Sequence, residues 1–166
     1  TVPCPDRFFR GDDVENILRD TIVEINLDNI VLNIKNIKEM VGENVAIAAV
    51  VKANGYGHGA SGIAQVLVEN GADYLAVATL NEAMDLRKDF KDYNIFIMGV
   101  TPDEYLEEVV KNNIVQTIFS YRQAEILNEL GIKYNKKPVV HIKYDTGFNR
   151  LGFKDCEESI EEIEKI

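Results

Sequence analysis

The sequence predicts an α/β chain built on parallel strands, and three observations carry that reading. Apolar runs of strand length alternate with patterns of helical period from residue 21 to the last residue. The connections between them are short, so each helix is a crossover joining two parallel strands in the right-handed sense. Polar residues gather where the strand patterns stop, at Lys52, Thr79, Ser120 and Asp145. An open doubly wound sheet and a (β/α)8 barrel both place their functional groups there, and the residue pattern leaves the two open. No Gly-x-Gly-x-x-Gly follows the first strand, which weighs against a dinucleotide-binding sheet.

Residues 1–20, with two prolines and scattered charges, read as a tail in which Asp12 or Asp13 could cap a short helix. Thr21–Ile25 is β-rich and alternates, as a half-exposed strand does. Asn26 or Asp28 then caps a helix whose apolar stripe is Leu27, Ile30, Val31, Ile34, Ile37, Met40 and Val41, ended by Gly42. Val45–Val51 is almost continuously apolar, the pattern of a strand covered on both faces. Ser61–Glu69 is helical and Gly71 stops it. Tyr74–Ala78 is a strand, and Thr79-Leu80-Asn81-Glu82 is a capping box opening a helix to about Phe90. Ile95–Met98 is a strand, followed by a second capping box at Thr101-Pro102-Asp103-Glu104 with proline at the first helical position. That helix runs to about Asn112. Val115–Phe119 is a strand, and Ser120-Tyr121-Arg122-Gln123 opens a helix ending at Gly131. Pro138–Lys143 is a strand, Asp145–Phe153 a loop, and Asp155 caps a last helix showing Cys156, Ile160, Ile163 and Ile166.

The 166 residues suit one domain, and 46% hydrophobic with 28% charged residues is the balance of a globular chain with a sizeable core. A net charge of −10 argues against nucleic acid or an anionic membrane as partner. Any anionic cofactor must therefore be held by local groups. Two cysteines, Cys4 and Cys156, without CxxC spacing imply a reduced, cytoplasmic setting and no zinc site. No apolar run reaches membrane-span length.

Chemistry concentrates in two stretches. In the first, the apolar strand runs straight into Lys52 and then into Ala53-Asn54-Gly55-Tyr56-Gly57-His58-Gly59. Burying a charged ammonium is expensive, so a lysine at such a strand end tends to be neutral, paired or covalently used. A neutral amine there is what carbonyl chemistry needs. The alternative is a lysine that snorkels from the strand end. Ala46, Ala48 and Val50 share the lysine's face and are small enough to leave room for a cofactor. Tyr56 can reach back over that pocket or pack on a helix, and His58 reads as structural. In the second stretch, His141, Lys143 and Asp145 put a polar stripe on one face of a strand, and Arg150 follows in the loop. A forked, always charged guanidinium suits a carboxylate or a phenolate oxygen, or a surface ion pair. Lys143 could equally pair with Asp145.

Ala49 to Gly59 closely resembles the pyridoxal-phosphate lysine motif of the alanine racemases, and His141-Ile142-Lys143-Tyr144-Asp145-Thr146-Gly147-Phe148-Asn149-Arg150-Leu151-Gly152-Phe153 resembles that family's other long signature. The resemblance extends over nearly all of residues 21–166. It implies a partial (β/α)8 TIM-type barrel with five barrel strands, beginning at Val45, Tyr74, Ile95, Val115 and Pro138, and one strand, Ile22–Ile25, outside it. Residues 21–166 would be the N-terminal part of the barrel domain. A barrel of eight cannot close with five strands, so a fragment without its C-terminal β domain is expected.

The resemblance also implies function. The cofactor is pyridoxal 5′-phosphate, held covalently by Lys52, which also moves a proton at the substrate Cα. Tyr56 contacts its phosphate. Arg150 contacts the substrate carboxylate and the cofactor's phenolic oxygen. Lys143 carries a carbamate in many members, which would orient Arg150. The expected activity is interconversion of L- and D-alanine in a homodimer that supplies D-alanine to the bacterial cell wall. A serine or broad-specificity racemase and a non-catalytic cofactor-binding protein are the alternatives. The opposing base, a tyrosine of the partner subunit's β domain, lies outside these residues, so the 166 residues alone are expected not to racemise alanine at a useful rate. Gly55 stands where the family usually has alanine, which should loosen the loop, and Phe148 where it usually has methionine.

Overall fold

The computed structural model describes the backbone of residues 2–3 and all of residues 23–166. Most of the expected tail, with Cys4, Asp12 and Asp13, lies outside the described residues. The described residues form two sheets. In the smaller, β1 (Val2–Pro3) runs antiparallel to β2 (Glu24–Ile25), with Val2 opposite Ile25. It stands apart from the main sheet, where the resemblance places the Ile22–Ile25 strand.

The main sheet is β3 (Ala48–Val50), β4 (Tyr74–Val77), β5 (Ile95–Ile97), β6 (Val115–Ile118) and β7 (Val140–Ile142), all parallel. Their order across the sheet is their order in the chain. A doubly wound sheet reverses direction at a switch point; this one never does, so right-handed crossovers stack every helix on the same face. That is the winding of a barrel wall, and it decides the question the residue pattern left open.

The helices are α1 (Leu27–Val41), a short turn α2 (Lys52–Tyr56), α3 (Ala60–Glu69), α4 (Leu80–Asp89), α5 (Leu106–Lys111), α6 (Tyr121–Tyr134) and α7 (Glu157–Ile163). The core lies between strands and helices: Val51, Leu75, Val77, Ile95, Ile97 and Ile118 meet Ile63, Ala64, Leu86, Leu106, Val109 and Leu127. The other sheet face is open at β3, where Ala46, Ala48 and Val50 are exposed. The strand there is also shorter than Val45–Val51, because β3 is an edge with a ladder on one side only.

The α1 stripe is only partly used. Asn26 caps the helix by accepting from the Asn29 N–H, Ile34 is buried, and Met40 stays 85% exposed. The Thr101 box does not form. Thr101 is buried and its hydroxyl donates to Gln116 Oε1, so Pro102 stays extended and a 3-10 turn, Asp103–Tyr105, precedes α5. Ser120 does cap α6, but Gln123 reaches back to the Phe119 N–H. Gly131 does not end α6. It is buried within it, where a Cβ would come within 2.7 Å of Pro138 Cδ, and Asn135 in the left-handed region closes the helix. Cys156, not Asp155, occupies the N-cap of α7; Asp155 instead accepts from the Tyr144 hydroxyl.

Candidate active site

The strand ends of β3 and β4 are locked in line by the Val51 N–H donating to Ala76 O at 2.9 Å. Val51 is 1% exposed, on the helix side. The next residue, Lys52, opens the turn α2 at the C-terminal rim and is half-buried. Its Nζ lies 6.0 Å from the centre of the Tyr56 ring, so the turn folds the tyrosine back toward the lysine. No ion pair involves Lys52 among the described residues.

The backbone after Lys52 is unusual. Ala53, Asn54 and Gly55 have φ of 50°, 53° and 61°, and Tyr56 has 55°, a left-handed turn of successive residues. Left-handed geometry costs about 1–2 kcal/mol for an ordinary L-residue, less for asparagine and nothing for glycine. Such a run persists only where its surroundings over-determine it. Those surroundings are visible. The Gly55 N–H donates to Val51 O at 2.8 Å, His58 Nδ1 pairs with Gly55 O at 2.9 Å, and Asn54 Oδ1 accepts from the Ala60 N–H at 2.9 Å. The Ala53 N–H donates to Glu82 Oε1 at 2.7 Å. His58 thus has the structural place expected of it. Gly55 does not loosen the loop: it is buried, and a Cβ on it would meet Ile63 Cδ1 at 2.5 Å.

The second stretch lies at the far edge of the sheet. Asp145 N–H donates to Phe153 O, and Phe153 N–H donates to Lys143 O, each at 2.8 Å, closing residues 143–153 into a loop. Inside it Asp145 Oδ1 accepts from the Gly147 and Asn149 N–H groups at 3.1 and 3.0 Å. The bond from Asn149 is the largest of the causes that hold its carboxyl below the usual range. No ion pair joins Lys143 to Asp145 among the described residues, and Lys143 is exposed, with Nζ 3.5 Å from Tyr144 O. Nor is Arg150 in a salt bridge there; its guanidinium lies over the Phe148 ring at 4.8 Å. On the open face the His141 ring sits 4.4 Å from that of Phe96, roofing the middle of the sheet.

The structure brings Lys52 and Tyr56 together and holds Lys143 and Arg150 on one loop. It shows no contact between the two groups among the described residues. They hang from opposite edges of a five-stranded sheet, four spacings of about 4.8 Å before curvature brings them closer. The part sequence reasoning missed is the arm from Glu82 to Ala53. The capping box was legible in the sequence, but nothing local joins residues 29 positions apart.

A family model described as the alanine racemase N-terminal domain matches residues 25–166. Alanine racemase 2 of Caldanaerobacter subterraneus subsp. tengcongensis is 44% identical over 90% of this chain and 39% of its own length. A solved alanine racemase of Clostridium difficile superposes with a TM-score of 0.84 at 41% identity, over 90% of this chain and 39% of that one. A solved histidine racemase of Leuconostoc mesenteroides does so with a TM-score of 0.72 at 30% identity, over 84% of this chain and 38% of that one. The chain spans about two fifths of the length of these relatives. Among the described residues no helix is long and apolar enough to cross a membrane, and no cluster of ligating side chains could hold a metal ion.

Proposed function

The chain belongs to the alanine racemase N-terminal domain family, and from that premise we propose that its protein interconverts L- and D-alanine with pyridoxal 5′-phosphate attached to Lys52. The observation that carries this is the placing of Lys52: an amine without a carboxylate partner among the described residues, at the C-terminal rim, followed by a left-handed turn. The residues fit the cofactor. Ala48 and Val50 beside Ala76 leave the strand face next to the turn shallow, and the turn brings the Tyr56 ring to 6.0 Å from the Lys52 amine.

When bound, pyridoxal 5′-phosphate supplies the electron sink that makes the substrate Cα–H acidic. Lys52 would hold the cofactor through its amine, and the same amine would move the proton on one face of the substrate Cα. Tyr56 would donate its hydroxyl to the phosphate. Arg150 offers a fork to the substrate carboxylate, and a carbamate on Lys143 of the same loop would hold that fork in place. The second face of Cα needs another group, which the family resemblance assigns to a partner subunit, hence a homodimer.

The test is reductive trapping of the complete protein with pyridoxal 5′-phosphate and borohydride, followed by peptide mapping. The expected label is on Lys52; labelling only at other lysines would refute the assignment. Lys52→Ala should lower kcat in a chiral alanine assay by about 10²–10⁴-fold, the usual worth of a general acid–base group. The likeness to a histidine racemase favours one second reading, a broader amino-acid specificity. Comparable kcat/KM for alanine and serine would support it.

A further inference from the structure

Glu82 has two arms. Oε2 accepts from the Ala78 N–H at 2.8 Å and the Thr79 N–H at 3.2 Å, while the Glu82 N–H donates to Thr79 Oγ1 at 3.4 Å. This is the capping box of α4, complete by itself. Oε1 is not needed for it. That oxygen crosses to the neighbouring strand end and takes the Ala53 N–H at 2.7 Å.

Ala53 follows Lys52 directly and is the first left-handed residue of the turn. Its N–H is the first donor of that turn, and Glu82 is its acceptor. The same carboxylate therefore grips the ends of two adjacent parallel strands, β3 and β4, at the rim where Lys52 leaves the sheet. Among the described residues β4 is the strand that pairs with β3, so the carboxylate adds a side-chain tie to the ladder between them.

We propose that Glu82 is a positioning residue for Lys52: through the Ala53 N–H it fixes the start of the left-handed turn and with it the direction in which the lysine amine projects toward the cofactor. The inference rests on the reading of Lys52 as the cofactor lysine. A charged acceptor on a backbone N–H makes a strong, directional bond. Without it the Ala53 N–H loses its carboxylate acceptor, and the start of the turn is held only by the bonds further along it, from Gly55 N–H to Val51 O and from Ala60 N–H to Asn54 Oδ1.

The experiment compares three variants of the holoenzyme. Glu82→Ala removes both arms. Glu82→Gln keeps one acceptor oxygen and turns the other into a donor, so it serves one arm at a time. Thr79→Ala removes the hydroxyl of the capping box and leaves both arms of Glu82 intact. The readouts are the dissociation constant for pyridoxal 5′-phosphate, the rate of borohydride labelling at Lys52, and hydrogen exchange of the Ala53 amide in cofactor-free protein. The expected result is that Glu82→Ala weakens cofactor binding and slows labelling on the order of tenfold, the scale of effect that a small misplacement has on a reacting group. Its Ala53 amide should exchange faster. Glu82→Gln should fall between Glu82→Ala and the parent, which also covers the case in which the alanine variant does not fold. Thr79→Ala should melt earlier yet bind cofactor as the parent does. If Thr79→Ala and the Glu82 variants alter binding equally, Glu82 is a helix cap only and the proposal is overturned. If the parent enzyme is not labelled at Lys52, the functional reading fails, and the proposal with it.

Discussion

At the scale of single residues, the space around Gly55 is set by Ile63. A methyl at position 55 would press on Ile63 Cδ1 at 2.5 Å and would sit on a backbone at φ +61°. Gly55→Ala should therefore destabilise the protein by about 1–2 kcal/mol, the left-handed penalty for an L-residue. Part of that is relieved by removing the opposing methyl. Ile63→Val alone should cost about 0.5–1.5 kcal/mol, and clearly less in the Gly55→Ala background. A double-mutant cycle from urea midpoints checks it, and strict additivity would show that the two groups do not touch. The motif residues stood out in the sequence as candidates, but their types left alternatives open, and it was the family resemblance that gave them roles. The support of the turn did not stand out: a hydrogen bond from a side chain 29 residues away leaves no local mark.

At the scale of elements, two side chains hold helices in place. Arg87 of α4 donates from Nη1 to Phe90 O, Lys91 O and Tyr93 O, at 2.6, 3.0 and 2.7 Å, and from Nη2 to Asn113 O at 2.9 Å. It thereby satisfies carbonyls of two loops at once. Arg87→Met keeps the stem and loses the donors, so a destabilisation of about 2 kcal/mol is expected in a denaturant titration. Between α5 and α6, Glu107 accepts from the Tyr134 hydroxyl, Lys111 and Lys133, and these bonds hold its carboxyl down to about 2. A depressed carboxyl contributes stability above its unfolded value and loses it as pH falls through the folded one. The α5–α6 contact should be indifferent to pH down to about 4.5 and loosen from there toward 2, as seen by NMR titration of the Glu107 carboxyl. A midpoint near 4.5 would contradict the network. Helix and strand identities followed from hydrophobic period. The misread ends have tertiary causes: Gln116 draws the Thr101 hydroxyl away from its cap, and Pro138 requires a glycine inside α6.

At the scale of the molecule, the sheet has one face covered by helices, while the other is buried at its middle and exposed toward its edges, which carry apolar groups. Val50 is 39% exposed on β3, and Val139 and Ile142 are 55% and 41% exposed at β7. Unpaired parallel edges with apolar side chains invite association. The 166 residues expressed by themselves should therefore self-associate at micromolar concentration and bind a hydrophobic dye; a stable monomer in sedimentation would show that the open face is tolerated. The choice between barrel and doubly wound sheet was not legible in periodicity, since both give the same alternation. Strand order settles it, and strand order is a property of the whole sheet. That unreversed order also bears on how the chain is made. As the polypeptide leaves the ribosome, at about 5–20 residues per second, each new strand emerges beside the edge on which it will pair. No strand must be inserted between two that have already joined, so the wall can be laid down one strand at a time during synthesis, beginning at the lysine end.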